Sequence, residues 1–250
     1  MLSQLTRRAL GWPALATALT LACVFTAPAA TIDNFDDGDD VGWTHIDVLD
    51  MYGLGPTIYD ASSGAYHIAS GNPLPPTPSL VGTGSLWTPS AADPYYSDGL
   101  LRMRFTTDNL ISNPFGAMRM DPILGNYYTF FAIPEGAGTI GISRVTGLTD
   151  SDDLVSMDYA ITPGQWYWME AGAVGNTLTL KVWAEGTTEP VLPQLTTTDD
   201  AFTLGALTVG LYKFASSSGT ISAQFDDVSF VPEPSGLALV LALGLLLRRR

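Results

Sequence analysis

The chain has 250 residues, with 11 Lys and Arg against 25 Asp and Glu, a formal net charge of −14 and a single Cys. That length suits one domain with short appendages, and the acidity excludes nucleic acid, whose phosphates need clustered Lys and Arg. Hydrophobic residues make up 46% and charged residues 14%, so the chain is no disordered acidic tail, and one Cys excludes a disulfide framework or a Cys-rich zinc site.

Residues 1–30 read as a secretory signal peptide. Arg7 and Arg8 form the basic start, an apolar run follows from Ala9 to Phe25, and Ala27-Pro28-Ala29 supplies the small residues that a signal peptidase reads. Two variants fit less well. Cys23 as a lipoprotein acceptor lacks the Leu three residues earlier, where Thr20 stands. A twin-Arg signal lacks an apolar residue at Gly11.

Residues 31–230 form the body of the chain. Six basic residues against 24 acidic ones leave it at −18. Amphipathic 3.6-residue runs are missing and period-two alternation is frequent. Leu101, Met103 and Phe105 alternate with Arg102 and Arg104. Leu178, Leu180 and Val182 alternate with Thr179, Lys181 and Trp183. Ile221, Ala223 and Phe225 alternate with Ser222 and Gln224. Breaks such as Pro163-Gly164 and Ser218-Gly219 separate the runs, and Gly175-Asn176 predicts a hairpin. About a dozen strands are expected, hence an all-β, two-sheet antiparallel jelly-roll sandwich. Asn72 to Pro78 holds four Pro and predicts an extended surface loop, because Pro lacks the ladder donor.

Three stretches of the body resemble LamG-like, concanavalin A-like jelly rolls. Asp33-Asn34-Phe35-Asp36-Asp37-Gly38 with Gly42-Trp43 is similar to their opening. Gly164-Gln165-Trp166-Tyr167, Gly175-Asn176-Thr177-Leu178 and Lys181 to Gly186 are similar to paired central strands. Phe225 to Phe230 is similar to the closing strand. The resemblance implies a sandwich and a carbohydrate-related surface, with activity left to the site.

Two constellations follow. Asp33, Asp36, Asp226 and Asp227 lie at the two ends of the domain, which often meet in an antiparallel sandwich. Converging carboxylates invite one structural Ca2+, a hard ion with six to eight oxygen ligands, and related jelly rolls carry one there. An EF-hand is excluded, since Phe35 and Thr44 occupy ligand positions counted from Asp33. The plain alternative is a solvated acidic turn, and Asp150-Ser151-Asp152-Asp153 is expected to be such a loop. Trp166, Trp168 and Glu170 alternate on one face, and Lys181 and Trp183 alternate on the next strand. With Arg102 and Arg104 they form a candidate carbohydrate-binding face, against the alternative that the Trp side chains fill core. Tyr95-Tyr96 and Tyr127-Tyr128 are weighed the same way.

No catalytic residues are expected. The Glu-x-Asp-x-x-Glu strand of jelly-roll glucanases is absent, Glu170 has no carboxylate beside it, and Glu185 and Glu189 are expected to be solvated at a turn. His45 and His67 are expected to be structural.

Residues 231–250 form a second address. Pro232-Glu233-Pro234 precedes an uncharged run, Ser235 to Leu247, and Arg248-Arg249-Arg250 closes the chain. Thirteen residues make about 20 Å of helix, short of the ~30 Å hydrocarbon core, though snorkelling Arg narrows the gap. The tripartite ending resembles the PEP-CTERM sorting signal of Gram-negative bacteria. It implies export across the inner membrane, a transient C-terminal membrane helix, cleavage by an exosortase, and a place at the cell surface or in the matrix. The expected function is association with extracellular polysaccharide. The alternatives are a structural or adhesive matrix protein without a glycan site, and a glycan-active hydrolase or lyase.

Overall fold

The computed structural model describes residues 30–88, 95–148 and 150–233. The expected signal helix, Pro234, the C-terminal apolar helix and Arg248, Arg249 and Arg250 lie outside the described residues. No helix among the described residues is long and apolar enough to cross a membrane.

The domain is all-β, built as two antiparallel sheets with one four-residue helix, α1 (Val48–Met51). The first sheet runs in the order β13 (Leu195–Thr198), β12 (Thr177–Ala184), β11 (Tyr167–Val174), β6 (Gly99–Thr107), β15 (Ser222–Pro232), β4 (Tyr66–Ser70) and β3 (Thr57–Asp60). Strand β1 (Ala30–Asp33) also pairs with β15. The second sheet runs in the order β10 (Asp150–Asp158), β9 (Thr139–Thr146), β8 (Asn126–Ile133), β7 (Asn113–Asp121), β14 (Ala206–Lys213), β5 (Val81–Trp87) and β2 (Trp43–Ile46).

Alternation builds the core. Leu101, Met103 and Phe105 of β6, Met169 and Ala171 of β11, and Leu178, Leu180 and Val182 of β12 are buried between the sheets. They meet Tyr128, Phe130, Ile140, Ile142, Val209 and Leu211 of the second sheet. The expected hairpin forms, with Val174 paired to Thr177. Gly175 takes φ 56° while Asn176 stays at negative φ, the pattern of a type II′ turn that matches strand twist.

Two expectations need correction. Among the described residues there are fifteen strands, because four-residue strands such as β1, β2, β3 and β13 are too short for periodicity to show. Asp150 to Asp153 is no loop: it opens β10, an edge strand paired with β9, where the outward charges suit an unpaired edge. The Pro-rich stretch is the expected extended surface loop, pinned at one point where Leu74 is buried and its backbone bridges Gly219.

A bulge in β7 turns Arg119 to φ 57° and buries it. Its guanidinium donates to Ser97 O at 3.2 Å, Phe202 O at 2.8 Å and Asp98 Oδ1 at 2.9 Å. One side chain thus ties two connecting segments to the second sheet. We expect Arg119→Met to strip all three acceptors of their donor and to cost about 3 kcal/mol in chemical denaturation.

Candidate functional site

The face predicted from alternation exists. Trp168 sits between Arg104 and Trp183 across three adjacent strands of the first sheet, and Glu170 sits between Arg102 and Lys181 in the next row. Trp166, just before β11, joins them. The six candidates Trp166, Trp168, Trp183, Lys181, Arg102 and Arg104 therefore share one outer face. They are largely engaged with one another. Trp168 and Trp183 stack with centroids 6.2 Å apart, and the Arg102 guanidinium lies 4.7 Å over Trp168 and 5.0 Å from Trp183. Arg104 lies 5.1 Å over Trp166. Trp183 is only 4% exposed, so the outer face of the sheet buries it.

The charges are engaged too, and here a further expectation is corrected. Glu185 and Glu189 are not left to water at a turn. Glu189 accepts from Lys181 at 3.0 Å and from Arg102 at 3.1 Å, and Glu185 accepts from Arg104 at 2.6 Å. Glu170 takes the same Lys181 Nζ at 3.0 Å. Two carboxylates thus lie close together, as a glycosidase would need. Glu189 is wrong for an acid. Partial burial works against the charge on Glu189, but the Lys181 hydrogen bond and the Arg102 charge outweigh it and hold Glu189 below the ordinary Glu value. A general acid needs the opposite shift.

The same pairings fix a pH dependence. Glu189 is depressed on folding, so its contribution is present above its ordinary value of 4.5 and is lost as pH falls through the lower folded value. For Lys181, burial opposes the charge, but hydrogen bonds to Glu189 and Glu170 raise the group. Its contribution is present below 10.5 and is lost as pH rises through the higher folded value. Thermal melting should show Glu189→Gln losing stability at neutral pH and less of it on acidification below pH 4.5 than wild type.

The first and last strands do meet: β1 lies on β15, with Asp33 opposite Val228. The four candidate calcium ligands are engaged by protein donors or cations. Asp33 accepts the Phe35 N–H at 2.8 Å and the Trp43 indole at 2.9 Å. Asp226 pairs with Arg104, and Asp227 lies 3.0 Å from the same guanidinium. Asp36 accepts from Asn34 at 2.6 Å. Among the described residues no group of three or more His, Cys, Asp or Glu is placed to hold a metal ion. The two histidines are in structural contacts: His45 bonds Asp40 and stacks on Tyr59, and His67 bonds Ser222.

The second sheet carries a site that sequence reasoning missed. Its outer face is a groove of about 300 Å³. The walls are Phe115, Tyr127, Phe131, Tyr212 and Phe214, extended by Ile46, Leu80, Met120, Ile133, Val145 and Leu148. Glycines make it. Gly84 pairs with Gly210 at the centre, a Cβ on Gly210 would stand 2.7 Å from Phe115 Cζ, and one on Gly141 would overlap the Phe131 ring. The rings therefore lie down against bare backbone. Polar groups are few: Thr83, whose hydroxyl donates to Ile46 O at 2.9 Å, Thr129, Ser143, Thr208, Ser151, Asp153 and the two Tyr hydroxyls. Ser143 is already donating to Asp153 at 2.6 Å. Burial pushes Tyr127 up to about 12 and raises Tyr212 as well, with the nearby Asp153 and Tyr127 adding to the latter. Asn113, opposite Tyr212 in the ladder, has both amide atoms buried and unpartnered, the kind of group that an ordered water or a ligand satisfies. Of these residues the sequence reading singles out Tyr127, as an aromatic candidate, and Ser151 and Asp153, as part of an acidic loop. The lining as a whole comes from all seven strands of the second sheet, distant in sequence.

The chain matches no protein-family model and no curated protein. Solved structures do match. A carbohydrate-binding module, CBM66, from Bacillus subtilis superposes with a TM-score of 0.50 at 16% identity, covering 75% of this chain and 93% of that one. A protein from Saccharomyces cerevisiae described as functionally unknown gives 0.51 at 11% identity, covering 81% and 100%. A xylan β-1,4-xylosidase from Bacillus halodurans C-125 gives 0.50 at 13% identity, covering 80% of this chain but 38% of the xylosidase. At these identities the likeness is one of fold, and it includes both binding modules and enzymes.

Proposed function

We propose that this is an exported sandwich protein that associates with polysaccharide through the groove of the second sheet. The observation that carries the reading is the groove itself, where aromatic rings line an open concavity and hydroxyls face it. Sugars are held by such pairings of apolar rings with a few placed polar groups. The Trp face is the weaker candidate, because guanidinium groups already occupy its rings and Trp183 is covered. The likeness to a carbohydrate-binding module supports the class of ligand.

Export belongs to the same reading. It rests on Arg7, Arg8, the apolar run and Ala27-Pro28-Ala29 at one end, and on Pro232-Glu233-Pro234, the apolar run and the Arg triplet at the other. Signal peptidase and an exosortase are the processing partners. The destination is the cell surface or the matrix of a Gram-negative bacterium. An enzyme is the less supported role, since the paired Glu170 and Glu189 are neutralised by Lys181 and Arg102.

A glycan array on the purified protein tests the reading. Phe131→Ala should weaken the best hit about tenfold, as loss of one stacking ring does, while Trp166→Ala leaves it unchanged. The reverse pattern moves the site to the Trp face, and an array with no hits beside measurable self-association supports a structural matrix protein. Melting in EDTA and in millimolar calcium tests the calcium reading of Asp33, Asp36, Asp226 and Asp227. A bound ion raises the midpoint by mass action, and equal midpoints remove it.

A further inference from the structure

The groove's lining is mostly apolar and carries little charge. Resting on the glycan reading above, we infer that it takes uncharged glycans bearing apolar substituents, such as O-acyl groups, and rejects uronates and other polyanions.

Charge is the first argument. Asp153 is the only charged side chain that lines the groove among the described residues, and no Lys or Arg does. An anionic sugar would meet a carboxylate with no cation to offset it, in a concavity whose low-dielectric walls strengthen the repulsion.

Capacity for hydrogen bonds is the second. A bare pyranose presents hydroxyls all around its rim, and each one buried without a partner costs about 1–3 kcal/mol. The groove can answer few of them. Ser143 is committed to Asp153, and Thr208 already lies 3.5 Å from Met120 Sδ. What remains is the hydroxyls of Thr129, Ser151, Tyr127 and Tyr212. Tyr212 is 8% exposed, and its hydroxyl and that of Tyr127 make no hydrogen bond to protein among the described residues. Both line the groove on the side of Asp153. This cluster suits one or two polar atoms of a ligand. Around it the walls are aliphatic and aromatic, which suits a sugar whose other hydroxyls are capped.

The test compares three polymers by isothermal titration on the full chain: a neutral β-glucan, the same glucan O-acetylated, and polygalacturonate. We expect the acetylated form to bind about tenfold more tightly than its parent, and polygalacturonate to bind at least tenfold more weakly than the parent. Tyr127→Phe keeps the ring and should lower affinity for the acetylated glucan several-fold at unchanged melting temperature. Asp153→Asn should narrow the gap to polygalacturonate. Equal affinity for parent and acetylated glucan, or polygalacturonate bound as well as either, overturns the inference and leaves the glycan reading standing. Failure of all three polymers to bind overturns both.

Discussion

Two strands of each sheet carry the domain. Strands β6 and β15 at the centre of the first sheet face β7 and β14 at the centre of the second. The approach is close: a Cβ on Gly116 of β7 would stand 3.1 Å from Met103 Cε and 3.2 Å from Leu101 Cδ2 of β6. This packing removes the inward residues of both sheets from water, the largest favourable term in folding such a domain. It also sets the parity of every strand, because side chains alternate strictly along a pleat. Once Leu101, Met103 and Phe105 point in, Arg102 and Arg104 must point out, and the pairing with β11 then places Trp168 and Glu170 beside them.

The two outer faces that result are different materials. On the first sheet, cations, carboxylates and indoles alternate between neighbouring strands, so each charge finds a partner within the face. Arg102 spans Glu170, Glu189, Trp168 and Trp183, and Arg104 spans Glu185, Asp226, Asp227 and Trp166. Such a surface is satisfied before any ligand arrives. On the second sheet every residue of β14 is buried, and so is all of β7 except its last. The outward members are Gly210, Ala117, Phe115 and Tyr212 rather than charges. Small residues at the centre and rings beside them make a concavity, and among the described residues its two Tyr hydroxyls have no hydrogen-bond partner.

The core strands, the hairpin at Gly175-Asn176 and the shared face of Trp168, Lys181 and Arg102 could be read from alternation alone. The groove could not, for a reason specific to its residues. Strands β7 and β14 are apolar on both faces, so period two is blurred and inward cannot be told from outward. Gly84 and Gly210 look like ordinary strand breakers in sequence, and only the structure shows Gly84 lining the groove and its partner Gly210 making room for the Phe115 ring. Glu189 was misjudged because its partners, Arg102 and Lys181, come from other strands, 87 and 8 residues away.

By itself the sequence determined the class of the fold and the acidity of its body, since each depends on composition or local period. Only the tertiary structure decided which aromatic residues stay open to a ligand. That choice depends on cross-strand register and on what covers each ring. The Trp residues were the more conspicuous in sequence, yet arginines fill the space over them, while Phe115, Phe131 and Tyr212 become a site because glycines on neighbouring strands leave them room.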